Sequence, residues 1–283
     1  MKAALSGELA STNMMVLNSP FAVLWGNRVL IRRLAGRELQ ARYRGSILGV
    51  AWAAIVPLGM VLMYTFVFGS IFKARWSGIG GSTENMTAFF LAGLVAHQLF
   101  SEAIGRAPSL VLENKNYVTR VVFPLEILSV VTVAVALVGA IIGQALLLFL
   151  IAVTSGISPA MIPLMMLSPL VLLGMVPMLL GFVWIISAVG VFVRDFGQIV
   201  PVALSISFFL APVIYPRSSV PEPFDTLVVL NPVTIPIEVM RALVFGHPFP
   251  WELAVIYMAI SLIICWTGFA LFSRLRRAFA DVL

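Results

Sequence analysis

Charged residues along this chain are gathered into short clusters, and the stretches between the clusters carry almost none. The sharpest boundary is at Gly45, where a group of arginines stops and residues 46–72 follow with no charged side chain at all. Runs of this kind predict six helices, over residues 46–72, 86–105, 124–154, 162–192, 197–215 and 252–273. About twenty apolar residues in a helix cross the hydrocarbon core of a bilayer, so each run is read as a membrane span. The fourth and fifth runs are divided only by Arg194 and Asp195. Pro57 in the first run, Pro169 and Pro177 in the fourth, and Pro201 and Pro212 in the fifth predict kinked or broken helices. Lipid tolerates these where neighbouring segments satisfy the freed carbonyls.

Two segments outside the runs have patterns of their own. In residues 28–44, Leu30, Leu34 and Ala41 share one sector of a helical projection, with Arg33, Arg37 and Arg44 beside it, whereas Ile31 and Leu39 fall elsewhere. Such a helix would lie at the membrane surface with its arginines toward phosphates or a partner. A plain basic flank anchoring the first span explains the same residues. Residues 216–251 alternate proline breaks with apolar turns and are too hydrophobic for a solvated loop. Two short helices dipping part-way into the bilayer from outside are expected, with an extracellular cap packed on the spans as the alternative.

Composition supports lipid as the solvent. The chain is 61% hydrophobic and 11% charged, with mean hydropathy +1.06, whereas soluble domains carry about 25% charged residues. A net charge of +6 would raise the question of nucleic acid in a soluble protein. Here the basic residues sit at span ends, where anionic headgroups account for them, and no nucleic-acid partner is expected. Residues 1–45 hold seven Lys or Arg, residues 106–123 three, Arg194 adds one and the tail (Arg274, Arg276, Arg277) three, so fourteen of eighteen lie on one side. Lys73, Arg75, Arg217 and Arg241 lie on the other. The positive-inside rule then places both termini in the cytoplasm, as an even number of spans requires. No cleavable leader is expected, because the first 13 residues are small and polar and Asn18, Ser19 and Pro20 interrupt the modest apolar stretch behind them. The economical division is a cytoplasmic segment, 1–45, and one membrane domain, 46–283.

Candidate chemistry is sparse. Cys265 is alone, and His97 and His247 are far apart, which leaves no disulfide and no metal-ligand spacing. The only lysines are Lys2, Lys73 and Lys115, and none follows a glycine, so the chain has no phosphate-cradling loop of its own. No paired carboxylates and no Ser-His-Asp set converge, so no catalytic residue, cofactor or metal is assigned. Glu102, Arg106 and Glu126 sit near span ends and can snorkel, so no strongly buried charge is expected. Tyr64, Phe68 and Phe72 recur every four residues and share a helix face toward the outer side. Phe208, Phe209 and Tyr215 sit at matching depth in the fifth run. Sugar rings stack on aromatic faces, a weak and sequence-tolerant grip that suits a sliding polymer. Interface anchoring by Tyr and ordinary lipid contact by Phe are the alternatives. In residues 106–123, Glu113, Asn114, Lys115 and Asn116 form the polar middle of a short segment that starts at Pro108. A helix of that size, joined to two spans, can pass a partner's motion into the membrane, although most polar loops only connect.

Several of these features occur together and in order. Arg42-Tyr-Arg44 leads into Ser46-x-Leu-Gly-x-x-Trp52; Val193-Arg-Asp-Phe196 comes after the fourth run; Pro212-Val-Ile-Tyr-Pro216 ends the fifth; and Asn231-Pro-x-x-x-Pro-x-x-x-x-Arg241 precedes the last. The combination resembles type 2 ABC-transporter permeases, most closely the branch that exports O-antigen, capsular polysaccharide and teichoic acid. The resemblance runs along nearly the whole chain and departs from the family at the glycine-rich link Trp76 to Thr83.

The resemblance implies an all-α membrane protein with six transmembrane helices, an N-terminal amphipathic interface helix and short re-entrant periplasmic helices before the last span. It implies residence in the bacterial inner membrane and transport of a lipid-linked polysaccharide, O-antigen or capsular in type, through a passage at the interface of a homodimer. Two copies of a separate ATPase subunit, carrying the ATP and magnesium, would dock on Arg33, Arg37 and Arg42 and on Glu113, Asn114, Lys115 and Asn116. Aromatic residues of the first and fifth spans would line the passage. Arg194 and Asp195 match the family's Arg-Asp pair, with a local ion pair as the alternative. A teichoic-acid or small-molecule exporter of the same fold is the nearest rival. A membrane-embedded enzyme would need acidic or histidine residues converging at one face, and an ion channel a repeated polar filter; the sequence offers neither.

Overall fold

The computed structural model of the chain describes residues 19–71, 83–119, 123–154 and 162–282. Among these residues every regular element is a helix. Helix α1 (Pro20–Gly26) starts with Ser19 as its cap, the Ala22 N–H donating to Ser19 Oγ at 3.1 Å, and with Pro20 where a missing N–H is harmless. Helix α2 (Arg28–Tyr43) comes at once. Helix α3 (Trp52–Tyr64) continues as a π-helical stretch, Thr65–Ile71. Then come α4 (Thr83–Gly105), the short α5 (Leu110–Glu113) and α6 (Lys115–Thr119), and α7 (Glu126–Thr154). The remainder is α8 (Ile162–Leu167), α9 (Pro169–Phe192), α10 (Phe196–Leu210), α11 (Glu222–Leu230), α12 (Thr234–Phe245), α13 (Trp251–Leu275) and α14 (Phe279–Val282).

Five helical stretches are long and apolar enough to cross a membrane: Gly49–Ile71, Met86–Gly105, Glu126–Val153, Ile162–Phe192 and Trp251–Ala278. They fall on the first four expected runs and on the last. Within the fourth run the helix breaks at Ser168, with Pro169 at the first position of α9. The Ser168 hydroxyl bridges the break: it donates to the Met165 carbonyl and accepts from Gln144 Nε2, both at 2.6 Å.

The fifth run departs from expectation. Helix α10 has 15 residues, so it is about 22 Å long against a core of roughly 30 Å. It ends at Leu210 rather than 215 because Ala211 turns extended (φ −74°, ψ 145°) ahead of Pro212, whose ring disfavours a helical predecessor. The Tyr215 hydroxyl folds back onto this end and donates to the carbonyls of Leu210 (2.8 Å) and Phe209 (3.1 Å). Helices α11 and α12 are bent by 96° at a short break, a geometry shared by broken spans and re-entrant hairpins.

Burial is uneven. The membrane stretch of α4 is 78% buried, whereas that of α3 is only 17% buried. Helices α9 and α13 meet backbone to backbone: a Cβ added at Gly181 would lie 2.6 Å from the Ile264 carbonyl carbon, and one at Gly268 would lie 2.9 Å from the Gly181 Cα. Small residues at such a seam let van der Waals packing hold helices together in lipid, where no hydrophobic drive separates tail from side chain. Beside the seam the fully buried Trp184 donates from Nε1 to the Glu126 carbonyl at 3.1 Å and meets Phe269 edge-on.

The expectation that no charge is buried is overturned. Glu126 is 4% exposed and is paired with Arg276 at 2.6 Å. Arg241, counted among the residues of an outer loop, is 2% exposed. Both are compensated by partners, which is what makes their burial tolerable.

Candidate functional site

Tyr64 at the end of α3 and Phe68 in its π-helical continuation both meet Phe90 of α4, with ring centroids 6.4 and 5.8 Å apart. From α10, Phe208 reaches Tyr64 (6.0 Å) and the His97 ring (5.0 Å, edge-on). The structure thus gathers three of the six candidate aromatics, Tyr64, Phe68 and Phe208, into one cluster built on α4. Phe72 lies outside the described residues. Phe209 meets the Phe208 ring edge-on at 5.4 Å but stands at the edge of the cluster, 68% exposed. Tyr215 has its hydroxyl committed to the end of α10.

The sequence reading missed Phe90 and His97, the two side chains that hold the cluster together. They are seven residues apart on a helix, hence on one face, and that spacing was the available signal. Both are buried, and His97 Nδ1 lies 3.0 Å from the Ser101 hydroxyl. Around the cluster, apolar side chains are exposed on two helices among the described residues: Met60, Met63 and Phe66 on α3 and its π-helical continuation, and Val202, Ile206 and Phe209 on α10.

Two polar residues pin the end of α10 and the segment that follows it. Asn231, at the bend between α11 and α12, donates from Nδ2 to the Ser207 carbonyl (2.8 Å), and its Oδ1 accepts from the Ser207 hydroxyl and the Val233 N–H (both 3.2 Å). Arg241 of α12 donates to the Val213 carbonyl (2.9 Å) and, at 3.4 Å, to those of Phe89 and Tyr215. Its Cζ sits 3.4 Å from the Phe89 ring centroid, and Glu238 lies 3.3 Å away. Gly93 makes room: a Cβ there would stand 2.9 Å from the Val213 oxygen and 3.2 Å from the guanidinium. The bent pair α11–α12, α4 and the end of α10 are therefore one bonded unit.

At the basic end, α2 lies along the start of α7. Leu30, Ile31, Leu34 and Leu39 all pack on Ile127, Val131 and Val135, so the stripe judged uneven on a projection is complete in three dimensions. Ion pairs tie the same helix to α4, Arg42 with Glu102 and Glu38 with Arg106. The opposite face is a basic hollow of about 650 Å³ lined by Arg28, Arg32, Arg33 and Arg37. Arg37 also donates to the Tyr117 hydroxyl at 3.1 Å, which joins α2 to the loop that carries Glu113, Asn114, Lys115 and Asn116. Of these four, Glu113, Lys115 and Asn116 are exposed; Asn114 is half-buried and caps α5 through its bond to the Leu110 carbonyl (2.8 Å). Arg33, Arg37 and Arg42 are all exposed. The seven candidate docking residues thus fall on α2 and on the neighbouring α5–α6 segment, at one end of the molecule. Arg194 and Asp195 are exposed and form no ion pair with each other among the described residues. Nor do any three His, Cys, Asp or Glu side chains among those residues come together as a metal site.

A family model described as ABC-2 type transporter matches residues 29–245. The O-antigen export system permease protein RfbA of Myxococcus xanthus is 28% identical over 263 residues, covering 91% of this chain and 96% of that protein. A protein of the same name from Klebsiella pneumoniae is 24% identical over 253 residues, covering 88% and 93%. The polysialic acid transport protein KpsM of Escherichia coli is 25% identical over 255 residues, covering 87% and 93%.

Proposed function

The chain belongs to the ABC-2 type transporter family, and on that premise we propose that it is the membrane subunit of an exporter that moves a lipid-linked polysaccharide of O-antigen type across the bacterial inner membrane. The observation that carries this reading is that the relatives described above match along most of their length and are named for O-antigen export or polysialic acid transport. The KpsM relative favours a capsular polymer as the second reading.

The proposal assigns each surface a task. Two copies of the chain bring their α3 and α10 surfaces together, and the passage for the sugar chain runs between them. The aromatic cluster of Tyr64, Phe68 and Phe208, with Phe209 and Phe72 beside it, gives the polymer weak repeated contacts. The α11–α12 pair enters the bilayer from outside and returns. Both termini lie in the cytoplasm, where α2 and the loop around Glu113 to Asn116 receive a separate ATPase subunit, one for each permease. ATP and magnesium belong to that subunit; closure of the ATPase pair tilts α2 and the attached α4 and opens the passage.

Deletion of the gene with glycolipid analysis of both membranes is the test. Undecaprenyl-linked polymer retained inside the cell is expected, and normal surface glycan would count against the proposal. Reconstitution with and without the ATPase separates the driven step: export by the isolated chain without ATP would refute it.

A further inference from the structure

Where α1, the start of α7 and the end of α13 converge there is a cavity of about 960 Å³. Its wall contains a carboxylate in an unusual position. Glu126 is 4% exposed and its Oε1 accepts from Arg276 at 2.6 Å, but Oε2 is buried without a hydrogen-bond partner. The Ser273 hydroxyl, which lines the same cavity, is also buried without a partner. A buried acceptor left unmatched is costly, and native structures rarely keep one unless something fills the place. At the rim stand Arg274 and Arg277, both exposed, with no ion pair or hydrogen bond among the described residues.

The surroundings are those of a membrane surface. Phe21 of α1 meets Trp266 of α13 edge-on at 6.4 Å, and Phe21, Trp25, Trp266 and Ile263 are all exposed. Exposed aromatic residues beside arginines are what proteins place at headgroup level. From the cavity, Trp266 and Ile263 form an apolar strip that runs up the outer face of α13.

We propose that this cavity binds the headgroup of a membrane phospholipid. The phosphodiester lies between Arg274 and Arg277, the amine or alcohol of the headgroup donates to Glu126 Oε2, and the acyl chains run along Trp266 and Ile263. Three features together select this class of ligand. The arginines alone would take any anion; the unmatched carboxylate oxygen requires a donor on the same molecule; the apolar strip requires a hydrocarbon body attached to it. Inorganic phosphate satisfies the first only. A docked soluble protein has no use for a strip that faces lipid.

The probes are short-chain phosphatidylethanolamine, phosphatidylglycerol and phosphatidylcholine, added to the purified full chain in neutral detergent with bound lipid read by native mass spectrometry. Phosphatidylcholine carries the same phosphate, but its quaternary nitrogen cannot donate a hydrogen bond. The first two lipids should bind roughly tenfold more tightly than the third, the effect of one charge-assisted hydrogen bond. The double variant Arg274→Gln, Arg277→Gln should weaken all three by roughly 10- to 30-fold, at the usual strength of a basic side chain near a lipid phosphate. Glu126→Gln should erase the preference over phosphatidylcholine, and retained phosphatidylcholine binding shows that its cavity is intact. If that variant does not fold, the exposed arginine pair decides the question. Equal binding of the three lipids by the unaltered chain overturns the proposal, as does unchanged binding by the arginine variant. Displacement of lipid by inorganic phosphate as readily as by glycerophosphoethanolamine would reassign the cavity to free anions. Loss of ATPase capture by the arginine variant with lipid binding intact would reassign it to a protein contact.

Discussion

Replacing Arg241 with methionine tests the bonded unit of α11–α12, α4 and α10 directly. Methionine fills much of the same volume, so the change removes hydrogen bonds and charge while creating little cavity. The firm bond is to the Val213 carbonyl at 2.9 Å; those to Phe89 and Tyr215 at 3.4 Å are long, and the Glu238 contact at 3.3 Å is half exposed on the acid's side. Leaving the Val213 and Tyr215 carbonyls without a donor costs about 1–3 kcal/mol each, whereas Phe89 keeps its helical bond. Loss of the stack over Phe89 adds about 1–2 kcal/mol. Relief from keeping a guanidinium out of water works in the opposite direction and offsets part of this. The net is about 3 kcal/mol of destabilisation, at the lower edge of what breaking a buried charge pair costs.

For a chain of this size that corresponds to a loss of about 6–12 °C in midpoint temperature. The assay is thermal challenge in detergent, with recovery of the monodisperse peak read on gel filtration. Arg241→Lys should fall between the two, because an ammonium keeps the charge but cannot span carbonyls on three segments. Gly93→Ala crowds the same Val213 oxygen, so its effect should not add to that of Arg241→Met. An Arg241→Met protein that melts within about 1 °C of the unaltered chain would refute the reasoning, since a drop of at least several degrees is required.

Gly181→Leu should abolish recovery of folded protein, because the facing atoms on α13 are backbone and cannot turn aside; Leu173→Ala, at an exposed position of α9, provides the tolerated comparison by the same recovery assay. Charge reversal of Arg33 and Arg37 to Glu should lower co-purification of the ATPase several-fold at low salt, with less difference at high salt, where exposed charges are screened. Exchanging Glu38 and Arg106 should change stability by about 1 kcal/mol or less, because the pair is partly exposed and a swap restores it. Tyr64→Ala with Phe208→Ala should slow polymer export in reconstituted vesicles while ATP turnover continues; unchanged export would remove the cluster from the passage. The Arg217 guanidinium, bonded to Asp225 at 2.6 Å, holds that carboxyl below its ordinary value near 3.8, so its stabilisation is present above that pH and fades as the pH falls through the lowered value. Melting in detergent should therefore be insensitive to this pair from pH 7 to about 5, and the decline under acid should be shallower in Arg217→Gln.

The long spans are legible because lipid leaves few alternatives: a backbone in hydrocarbon must satisfy itself, and that demands apolar helical runs such as 124–154, now Glu126–Thr154, with its one charge in the first turn. The end of α10 is less legible, since Ala211, Val213 and Ile214 extend the apolar run and only Pro212 argues for a stop. Arg241 is illegible as a buried cation because nothing local distinguishes it from an outer-loop arginine; its acceptors come from residues 89, 213 and 215. Of the candidate site, the arginines of α2 and the polar loop stand out in the sequence by their charge pattern, and only the family resemblance gives them a docking role. The partners that order the aromatics, Phe90 and His97, belong to a helix whose sequence reads as ordinary core. The unevenness ascribed to the α2 stripe came from projecting it alone, whereas α7 runs beneath it and takes up Ile31 and Leu39 as well as Leu30 and Leu34.

The glycine seam between α9 and α13 has a mechanical corollary. Two backbones in contact have no side-chain layer to shear, so rotating one helix against the other means prising apart the main chains themselves. Helix α3, with 17% of its membrane stretch buried, has almost nothing to unpack. In the exporter proposed above, each subunit would thus be part stator and part hinged wall, with a stroke from the ATPase spent mostly on the wall.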